Sequence, residues 1–267
     1  MPEQHLLTID VGNTNAVFAI FAGQTLVGNW RLATATDRTA DEYAAMLIPL
    51  LAHAGLRHET VEGAVIASVV PPLTTVMEEL VIRYWGVKPL LVSHELYTGF
   101  SIKYDRPREV GADRLCDALA TKTFYGTPAI IIDFGTATTF NAMDESGDYL
   151  GGAIVPGIRI SMEALARYAA QLQRIELVAP PTAIGRNTVH AMQSGVFLGY
   201  IGLVESMVER FQRELGGDAH VIATGGISTL IGPSVRSIEV VDPLLTVKGL
   251  QLIWQLNPRP APVAAGG

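Results

Sequence analysis

The sequence predicts an α/β fold of two similar domains, chiefly because one phrase occurs twice. The stretch LLTIDVGNTNAVFAIF at residues 6–21 is nearly repeated as AIIIDFGTATTFNAMD at residues 129–144. Each copy holds an apolar strand, the pattern Asp-x-Gly, small polar residues and a second apolar strand. Strand patterns and helical patterns follow each copy, as is typical of α/β domains. The length of 267 residues leaves room for two domains of about 130 residues each.

The first third of the chain reads as strands followed by helices. A capping box of Thr39 and Glu42 begins a helix whose apolar residues recur at helical spacing. Pro49 lies inside this pattern and should kink the helix or end it early. A strand over 63–70 and a helix over 71–85 follow. Three strands, short and rich in apolar and β-branched residues, precede them at 6–10, 16–21 and 25–32.

The second copy repeats this opening and then continues with helices. One helix follows Pro156-Gly157, and a longer one begins near Asn187 and runs to about Leu215. A late strand over 221–226 ends in two glycines. The three opening strands of this copy are predicted at 129–133, 138–143 and 149–155.

The domain boundary is placed in the segment FYGTP, near residues 124–128. We therefore predict a first domain over 1–124 and a second over 125–257. The end of the chain, 258–267, has the composition of a disordered tail. The repeat further predicts that each domain contributes one Asp-x-Gly turn to a shared cleft.

The composition indicates a globular protein that lives in a reducing compartment. Hydrophobic residues make up 49% of the chain and charged residues 17%, which is enough to build sizeable cores. A formal net charge of −7 argues against nucleic acid or an anionic membrane as a partner. Cys116 is the single cysteine, so a disulfide within the chain is excluded. No signal-peptide pattern or long apolar run is visible, and we expect a cytoplasmic protein without a membrane partner.

The first Asp-x-Gly turn is a candidate site for phosphate and metal. Gly12 lets the backbone bend tightly and removes a side chain that would block a ligand. Neighbouring amides and the polar groups of Asn13 and Thr14 can then face phosphate oxygens. Asp10 leaves a buried strand and is suited to hold Mg²⁺, directly or through water. An ordinary hairpin turn explains the same residues about equally well.

The second turn strengthens the functional interpretation. Asp133, Gly135, Thr136, Thr138 and Thr139 repeat the pattern at the matching place. Two carboxylates and two sets of donors around one polyphosphate are a design for phosphoryl transfer, in which positioning and charge neutralisation do most of the catalysis. Turn chemistry alone remains the alternative.

Other phosphate-binding and metal-binding solutions are excluded by the motifs. The chain has no Gly-x-x-x-x-Gly-Lys-Ser/Thr segment, so it is not a P-loop protein. The DFG tripeptide at 133–135 lacks the other protein-kinase motifs, so that match is chance. The six histidines form no pair at ligand spacing, which argues against zinc.

Four further features carry weaker signals. In the segment Gly111-Ala112-Asp113-Arg114, Asp113 could accept a proton from a substrate hydroxyl and Arg114 could clamp a carboxylate or phosphate; a plain helix start is the alternative. Gly225-Gly226 either admits an adenine or ribose or forms a capping turn. Cys116 is read as a core residue. Glycines recur at helical spacing at Gly195, Gly199 and Gly202. They indicate close approach of another helix, either from a second subunit or from the same chain.

Taken together, these segments resemble the type III pantothenate kinases, a family in the superfamily of sugar kinases, heat-shock ATPases and actin. The resemblance implies ribonuclease-H-like domains with mixed sheets facing an interdomain ATP cleft, and a homodimer. It also implies ATP-dependent phosphorylation of pantothenate to 4'-phosphopantothenate, the first step of coenzyme A biosynthesis. The match covers nearly the whole chain in the family's order: LLTIDVGNTN, NWRLATATDRTADEY, ASVVPPL, GADR, IIDFGTATTFN, GGAIVPGI, GRNTVHAMQSG and ATGG.

The resemblance also implies roles for individual residues. Asp113 would be the general base, and Asp133 would hold the monovalent cation, K⁺ or NH₄⁺, that the family needs in addition to Mg²⁺. The chain departs from the family's pattern at Leu172-Gln173, where Leu-Pro is expected, and this difference concerns one local loop. Residues that would bind ATP are Asp10, Val11, Gly12, Asn13, Thr14, Asn15, Ala16, Val17 and Thr136. Residues that would bind pantothenate are Tyr104, Gly111, Ala112, Asp113, Arg114 and Thr188.

Two other functions remain open from the sequence. One is a different small-molecule phosphotransferase on the same scaffold, because a fold does not decide a substrate. The other is a non-catalytic regulator that binds ATP. The intact set of Asp10, Asp113 and Asp133 argues against the regulator.

Overall fold

The computed structural model describes residues 5–260, which fall into two compact units. The first unit is formed by the chain up to Ala120 together with the chain from Leu245 onward, and the second by Thr121–Leu244. This division differs from the boundaries predicted from the sequence, which assigned the segment after Leu244 to the second domain. The predicted tail lies, from residue 261 on, outside the described residues.

Each unit contains one five-stranded mixed sheet, and the two sheets have the same topology. The strands are β1 His5–Val11, β2 Asn15–Ala22, β3 Thr25–Ala33, β4 Val61–Ser68, β5 Leu90–Leu91, β6 Ala129–Phe134, β7 Ala137–Met143, β8 Tyr149–Pro156, β9 His220–Thr224 and β10 Val240–Val241. The first sheet has the order β3-β2-β1-β4-β5 and the second β10-β9-β6-β7-β8, so β1 corresponds to β6 and β4 to β9. In both sheets the first three strands of the unit pair antiparallel as two successive hairpins. The fourth strand, β4 or β9, pairs in parallel with the first. The predicted duplication of an α/β domain is confirmed.

Helices cover these sheets. They are α1 Ala40–His53, α2 Pro71–Trp85, α3 Ala112–Phe124, α4 Ile158–Tyr168, α5 Thr188–Gln193, α6 Gly199–Glu214, α7 Ser228–Ile231 and α8 Leu245–Leu256. A π-helical turn over Ser194–Leu198 joins α5 to α6. The predicted single helix from Asn187 to about Leu215 is therefore continuous in direction but changes its hydrogen-bond pattern in the middle.

The first unit is built around a core between its sheet and the helices α1 and α2. The predicted capping box is present, because the Thr39 side chain accepts from the Glu42 amide while Glu42 accepts from the Thr39 amide. Pro49 does not end α1, which continues to His53. The α8 helix belongs to this unit because it packs against β1, β2 and β4, with the Trp254 ring against the backbone of Gly63.

The second unit has its own core, formed by alternate residues of β6 and β9 and by the inner face of α6. The stretch Thr188–Glu214 is long and apolar enough to cross a membrane by length and composition alone. Its side chains Tyr200, Val204 and Val208 are buried in the core of the unit. Core helices of soluble proteins pass the same test, so this is weak evidence for a membrane span.

Candidate active site

The first Asp-x-Gly turn closes the β1–β2 hairpin, with Asp10 one residue before the end of β1. The Gly12 amide donates to the Asn15 carbonyl at 3.0 Å. A Cβ at Gly12 would lie 3.2 Å from that same oxygen, so a side chain would crowd the turn. The tip residues Asn13 and Thr14 are exposed, whereas Val11 and Ala16 are buried in the hairpin. Of the predicted ATP segment, the tip and the half-buried Asp10 and Val17 are therefore the accessible part.

Thr34 holds this turn in place from the end of β3. Its amide donates to the Thr14 carbonyl at 3.0 Å, and its hydroxyl donates to the Gly12 carbonyl at 2.7 Å. Both hydrogen bonds go to backbone carbonyls of the turn and involve none of its side chains. Two bonds to one short turn restrict its backbone before any ligand binds. Sequence reasoning missed this residue, although it lies in the quoted segment NWRLATATDRTADEY.

The Gly111–Arg114 segment lies beside this hairpin. A Cβ at Gly111 would contact the Asp113 Oδ1 atom and would lie 3.6 Å from a methyl group of Val69. The Val69 amide in turn donates to the Val11 carbonyl at 3.0 Å. The start of α3 and the ends of β1 and β4 therefore meet at one edge of the first sheet. This is the edge where ligands bind in sheets of parallel strands.

Asp113 sits in the first turn of α3, as both sequence alternatives required. Its Oδ1 accepts from the Arg114 amide at 2.8 Å. Burial raises the pKa of Asp113, and the Arg114 amide and guanidinium only partly offset that rise. A carboxyl group with a raised pKa is a stronger base than an ordinary aspartate.

Asp10 and Asp113 lie on the segments that meet at this edge of the sheet, and both carboxylates act on the buried Cys116 thiol. Cys116 is fully buried, as expected for a core cysteine, and burial is the largest cause of its strongly raised pKa. The charges of Asp117, Asp10 and Asp113 raise it further. Asp10 and Asp113, which lie far apart in sequence, thus both act on one buried atom. The structure brings these two predicted site residues together.

Two other predicted residues of the first unit, Tyr104 and Arg114, lie before α3 and within its first turn. Tyr104 is half-buried just before the 3₁₀ turn Pro107–Glu109, and Arg114 is half-buried in α3. A separate cavity of about 370 Å³ in this segment is lined by residues between His94 and Pro107, including Tyr97 and Ile102. Tyr104 is not among its lining residues.

The second Asp-x-Gly turn reproduces the first with a different clamp. Asp133 lies one residue before the end of β6, and Thr136 is exposed at the tip. The Gly157 amide donates to the Thr136 carbonyl at 3.2 Å, from the end of β8. Gly157 therefore occupies the place that Thr34 holds in the first unit. A Cβ at Gly157 would collide with the carbonyls of Gly135 and Thr136, so this clamp admits no larger residue.

The Asp133 carboxylate is held between two glycines. A Cβ at Gly135 would lie 3.3 Å from its Oδ2 atom. A Cβ at Gly225 would collide with its Oδ1 atom and with the backbone of Phe134. Gly225 also has a φ of +94°, a conformation that favours glycine. The ATGG segment therefore serves the carboxylate of the second turn, and its Gly225 carbonyl accepts from Ser228 at the start of α7.

The donor set at Asp133 fits a cation better than the one at Asp10 does. Thr224 pairs with Asp133 across the sheet, and its buried hydroxyl has no hydrogen-bond partner among the described residues. At the corresponding place beside Asp10 the sheet has Ala67. Asp10 thus has no side-chain oxygen beside it on β4. A single carboxylate suits a Mg²⁺ ion that keeps most of its water. Residues 5–260 contain no cluster of three or more His, Cys, Asp or Glu side chains for a metal.

Thr188 lines the larger cavity, about 860 Å³, which lies within the second unit. Asn187 caps α5 by accepting from the His190 amide at 2.9 Å, which places Thr188 at the first helical position. Arg186 and Ser161 contribute further polar groups to the lining, and leucine, methionine and glycine residues contribute the apolar part. A mostly apolar cavity with a few polar groups is typical of a small-molecule site.

Tyr200 links this cavity to the second turn. It lines the cavity, and its hydroxyl donates to the Thr138 hydroxyl on β7. Burial is the largest cause of its raised pKa, and the negative charge of Asp133 also raises it. The Asp133 turn and the Thr188 cavity are therefore neighbours within the second unit. Sequence reasoning did not single out Tyr200, since an aromatic residue in a long helix indicates only a core position.

The glycine face of the long helix is open. Gly195, Gly199 and Gly202 are exposed, and a Cβ at any of them would have no described atom within 4 Å. The alternative of close packing within the chain is therefore wrong for these glycines. The remaining alternative, a contact with a second subunit, stays a prediction.

Comparison with known proteins gives one family over most of the chain. The family model described as Type III pantothenate kinase matches residues 6–210. A type III pantothenate kinase of Moorella thermoacetica is 51% identical over 252 residues, covering 94% of this chain and 99% of that protein. One of Halalkalibacterium halodurans is 47% identical over 252 residues, with the same two shares.

Solved structures support the fold. A Campylobacter jejuni protein described as a candidate Baf family transcriptional activator aligns with a TM-score of 0.61 at 19% identity, covering 93% of this chain and 97% of that one. Ta0583, an archaeal actin homolog, aligns with a TM-score of 0.50 at 12% identity, covering 94% and 99%. At these identities the likeness concerns the fold and not the activity.

Proposed function

The chain belongs to the type III pantothenate kinase family, and from this premise we propose a division of labour among three of its carboxylates. It transfers a phosphoryl group from ATP to pantothenate, the first step of coenzyme A biosynthesis. In the proposal Asp10 serves the ATP phosphates, Asp113 serves the pantothenate hydroxyl and Asp133 serves a monovalent cation. The observation that carries it is that the start of α3, which bears Asp113, meets the end of β1, which bears Asp10, at one edge of the first sheet.

Asp113 is the general base of this proposal. Its carboxylate orients the primary hydroxyl of pantothenate and accepts its proton late, once the phosphoryl group has largely left ADP. The raised pKa supports this role, because a base acts best when its pKa approaches the working pH. Gly111 supports it as well, since a side chain there would displace the Asp113 Oδ1 atom.

The first turn is proposed to receive the ATP phosphates. The exposed tip residues Asn13 and Thr14 offer backbone and side-chain donors, and the Thr34 clamp fixes the backbone that presents them. Asp10 is proposed to hold Mg²⁺ largely through water, which would neutralise phosphate charge during transfer. In the second unit, Thr136 occupies the matching tip and is proposed as a further ATP contact.

Pantothenate is proposed to bind through two groups of residues. Tyr104 and the segment Gly111–Arg114 form the group in the first unit, with Arg114 paired to the substrate carboxylate. Thr188 forms the other group with its cavity of about 860 Å³, which is large enough for a ligand of this size. Asp133 is proposed to hold K⁺ or NH₄⁺, supported by its glycine cradle and the unpartnered Thr224 hydroxyl.

The remaining proposals concern the state of the protein in the cell. A homodimer is supported by the exposed glycine face of the long helix, to which a second copy can approach closely. A cytoplasmic enzyme without nucleic acid or membrane as a partner is supported by the single buried cysteine and the net charge of −7.

The roles are tested by ADP release with ATP and Mg²⁺, measured with and without pantothenate. We expect Asp113→Asn to lose turnover by about 10²-fold to 10⁴-fold, the usual contribution of a general base, while ATP binding persists. The exposed Glu109→Gln, just before α3, is the matched control and should stay near wild type. Near-normal turnover of Asp113→Asn would refute the assignment. ATP binding without any turnover in the wild-type protein would favour a regulator.

A further inference from the structure

The two matching carboxylates have different neighbours in their sheets. Asp10 on β1 pairs with Val17 on β2 and with Ala67 on β4. Asp133, at the same place in the second sheet, pairs with two threonines, Thr139 on β7 and Thr224 on β9. The repeat therefore places apolar side chains beside one carboxylate and hydroxyl groups on both sides of the other.

The three polar side chains of the second sheet form one row. Directly paired residues on neighbouring strands project to the same face, with Cβ atoms roughly 5 Å apart. Thr139 is 8% exposed and Thr224 is 1% exposed, so both hydroxyls are taken out of water. Burying a hydroxyl without a hydrogen-bond partner costs free energy. A polar row at this depth therefore indicates a ligand.

Thr224 lacks the partner that such a group normally has. Its Oγ1 atom is one of four buried side-chain atoms without a hydrogen-bond partner among the described residues. The next residue, Gly225, lies against the Asp133 Oδ1 atom. A Cβ at Gly225 would collide with that oxygen. The unpartnered Thr224 hydroxyl and the Asp133 carboxylate, from the neighbouring strand β6, thus both lie at the C-terminal end of β9.

The Thr139 hydroxyl is oriented from the opposite side. The Tyr149 hydroxyl donates to the Asn141 Oδ1 atom at 2.8 Å, which fixes the amide of Asn141. The Asn141 amide nitrogen then donates to the Thr139 Oγ1 atom at 3.1 Å. Because one lone pair of Thr139 accepts this bond, its other lone pair and its hydrogen remain for a group on the Asp133 side. Asn141 and Tyr149 are both fully buried.

We propose that Thr139 and Thr224 supply neutral oxygen ligands that complete the monovalent-cation site at Asp133, with Asn141 and Tyr149 as positioning residues. The proposal rests on the cation role proposed above for Asp133. One carboxylate and two neutral hydroxyls balance a single positive charge, and protein oxygens replace the water that a K⁺ ion loses. The apolar neighbours of Asp10 offer no such set.

The test measures cation binding through stability, because a ligand that binds the folded state raises the unfolding temperature. KCl replaces choline chloride at constant ionic strength, and the KCl concentration giving half of the shift is recorded. We expect Thr139→Val and Thr224→Val to raise this concentration by about 10-fold to 100-fold. Thr139→Ser and Thr224→Ser keep the hydroxyls and should stay near the wild-type value.

A matched control uses the other sheet. Thr8 is a fully buried threonine on β1 whose hydroxyl donates weakly to the Ala19 carbonyl at 3.4 Å. Thr8→Val should lower the unfolding temperature at every salt concentration and leave the KCl midpoint unchanged. Tyr149→Phe tests the positioning role, and we expect a raised KCl midpoint with an unchanged KM for pantothenate at saturating KCl.

The outcomes separate this proposal from the one on which it rests. If Asp133→Asn abolishes the KCl response but both valine variants keep the wild-type midpoint, the threonines are not ligands and Asp133 retains its role. If Asp133→Asn leaves the response unchanged, or if wild-type protein shows no response with or without ATP, the proposal is overturned. A response as expected in protein without pantothenate-dependent turnover would uphold the cation site and refute only the catalytic roles.

Discussion

Gly225 offers the sharpest structural prediction, because the chain contains a matched glycine. Gly225 has a φ of +94° and Gly216 a φ of +95°. A Cβ at Gly216 would meet no described atom within 4 Å, whereas a Cβ at Gly225 would collide with Asp133 and the backbone of Phe134. Substitution by alanine therefore places a Cβ on residues of nearly the same positive φ at both positions and causes a steric collision at only one.

The expected magnitudes follow from these two contributions. Left-handed backbone costs a residue with a Cβ about 1–2 kcal/mol, so Gly216→Ala should lower the free energy of unfolding by that amount. Gly225→Ala adds a collision with backbone and carboxylate, comparable to overpacking at about 1–3 kcal/mol, for a total of about 2–5 kcal/mol. Since the methyl group displaces the Asp133 carboxylate, the KCl midpoint should rise in this variant alone.

The assay is chemical denaturation of both variants and the wild type, followed by circular dichroism, together with the KCl titration. Equal losses of unfolding free energy at Gly225 and Gly216 would refute the proposed collision. A large loss at Gly225 with an unchanged KCl midpoint would show that the collision is relieved by moving Phe134 and not the carboxylate.

Four further predictions concern other parts of the molecule. Because burial raises the pKa of Asp113, kcat should fall as pH falls through a value above that of an ordinary aspartate, and a pH profile at the ordinary position would contradict this. The same shift favours the folded state at pH values below the unfolded pKa and loses that contribution as pH rises through the folded pKa, so Asp113→Asn should unfold at a higher temperature than wild type at neutral pH, measured by calorimetry. Thr34→Val should raise the KM for ATP by about 5-fold to 10-fold, corresponding to roughly 1 kcal/mol for a lost hydrogen bond, while the exposed Thr36→Val should leave it unchanged. Gly202→Arg should yield a folded monomer in sedimentation, since its side chain enters open space within the chain, and a dimer of normal affinity would refute the glycine-face contact.

The order of strands and helices was largely readable from the sequence, since the repeat fixed the correspondence between the two sheets. The effect of Pro49 was not. The sequence rule expects a kink or an early end, yet α1 continues for another turn. Leu47 and Leu51 are buried on the core side, and Ala45, whose carbonyl loses its bond to the proline nitrogen, is exposed to water. Packing on one face and solvation on the other explain the continued helix.

Some residues of the candidate site were likewise predictable from the sequence and others were not. Asp10, Asp113 and Asp133 carry local signals, because each lies in a motif that bends the chain or begins a helix. Thr34 and Thr224 act through hydrogen bonding and register with residues far away in sequence, and register between distant strands is set by packing that a single sequence does not display. The division at Ala120 and Leu244 escaped prediction because α8 returns to the first sheet after the whole second unit.

The central claim is tested most directly by ADP release from ATP and Mg²⁺ by the purified protein, with and without pantothenate, in KCl and then in NaCl. The account predicts turnover that requires pantothenate and is faster in KCl than in NaCl. Turnover that is indifferent to pantothenate, from protein shown to be folded, would contradict it.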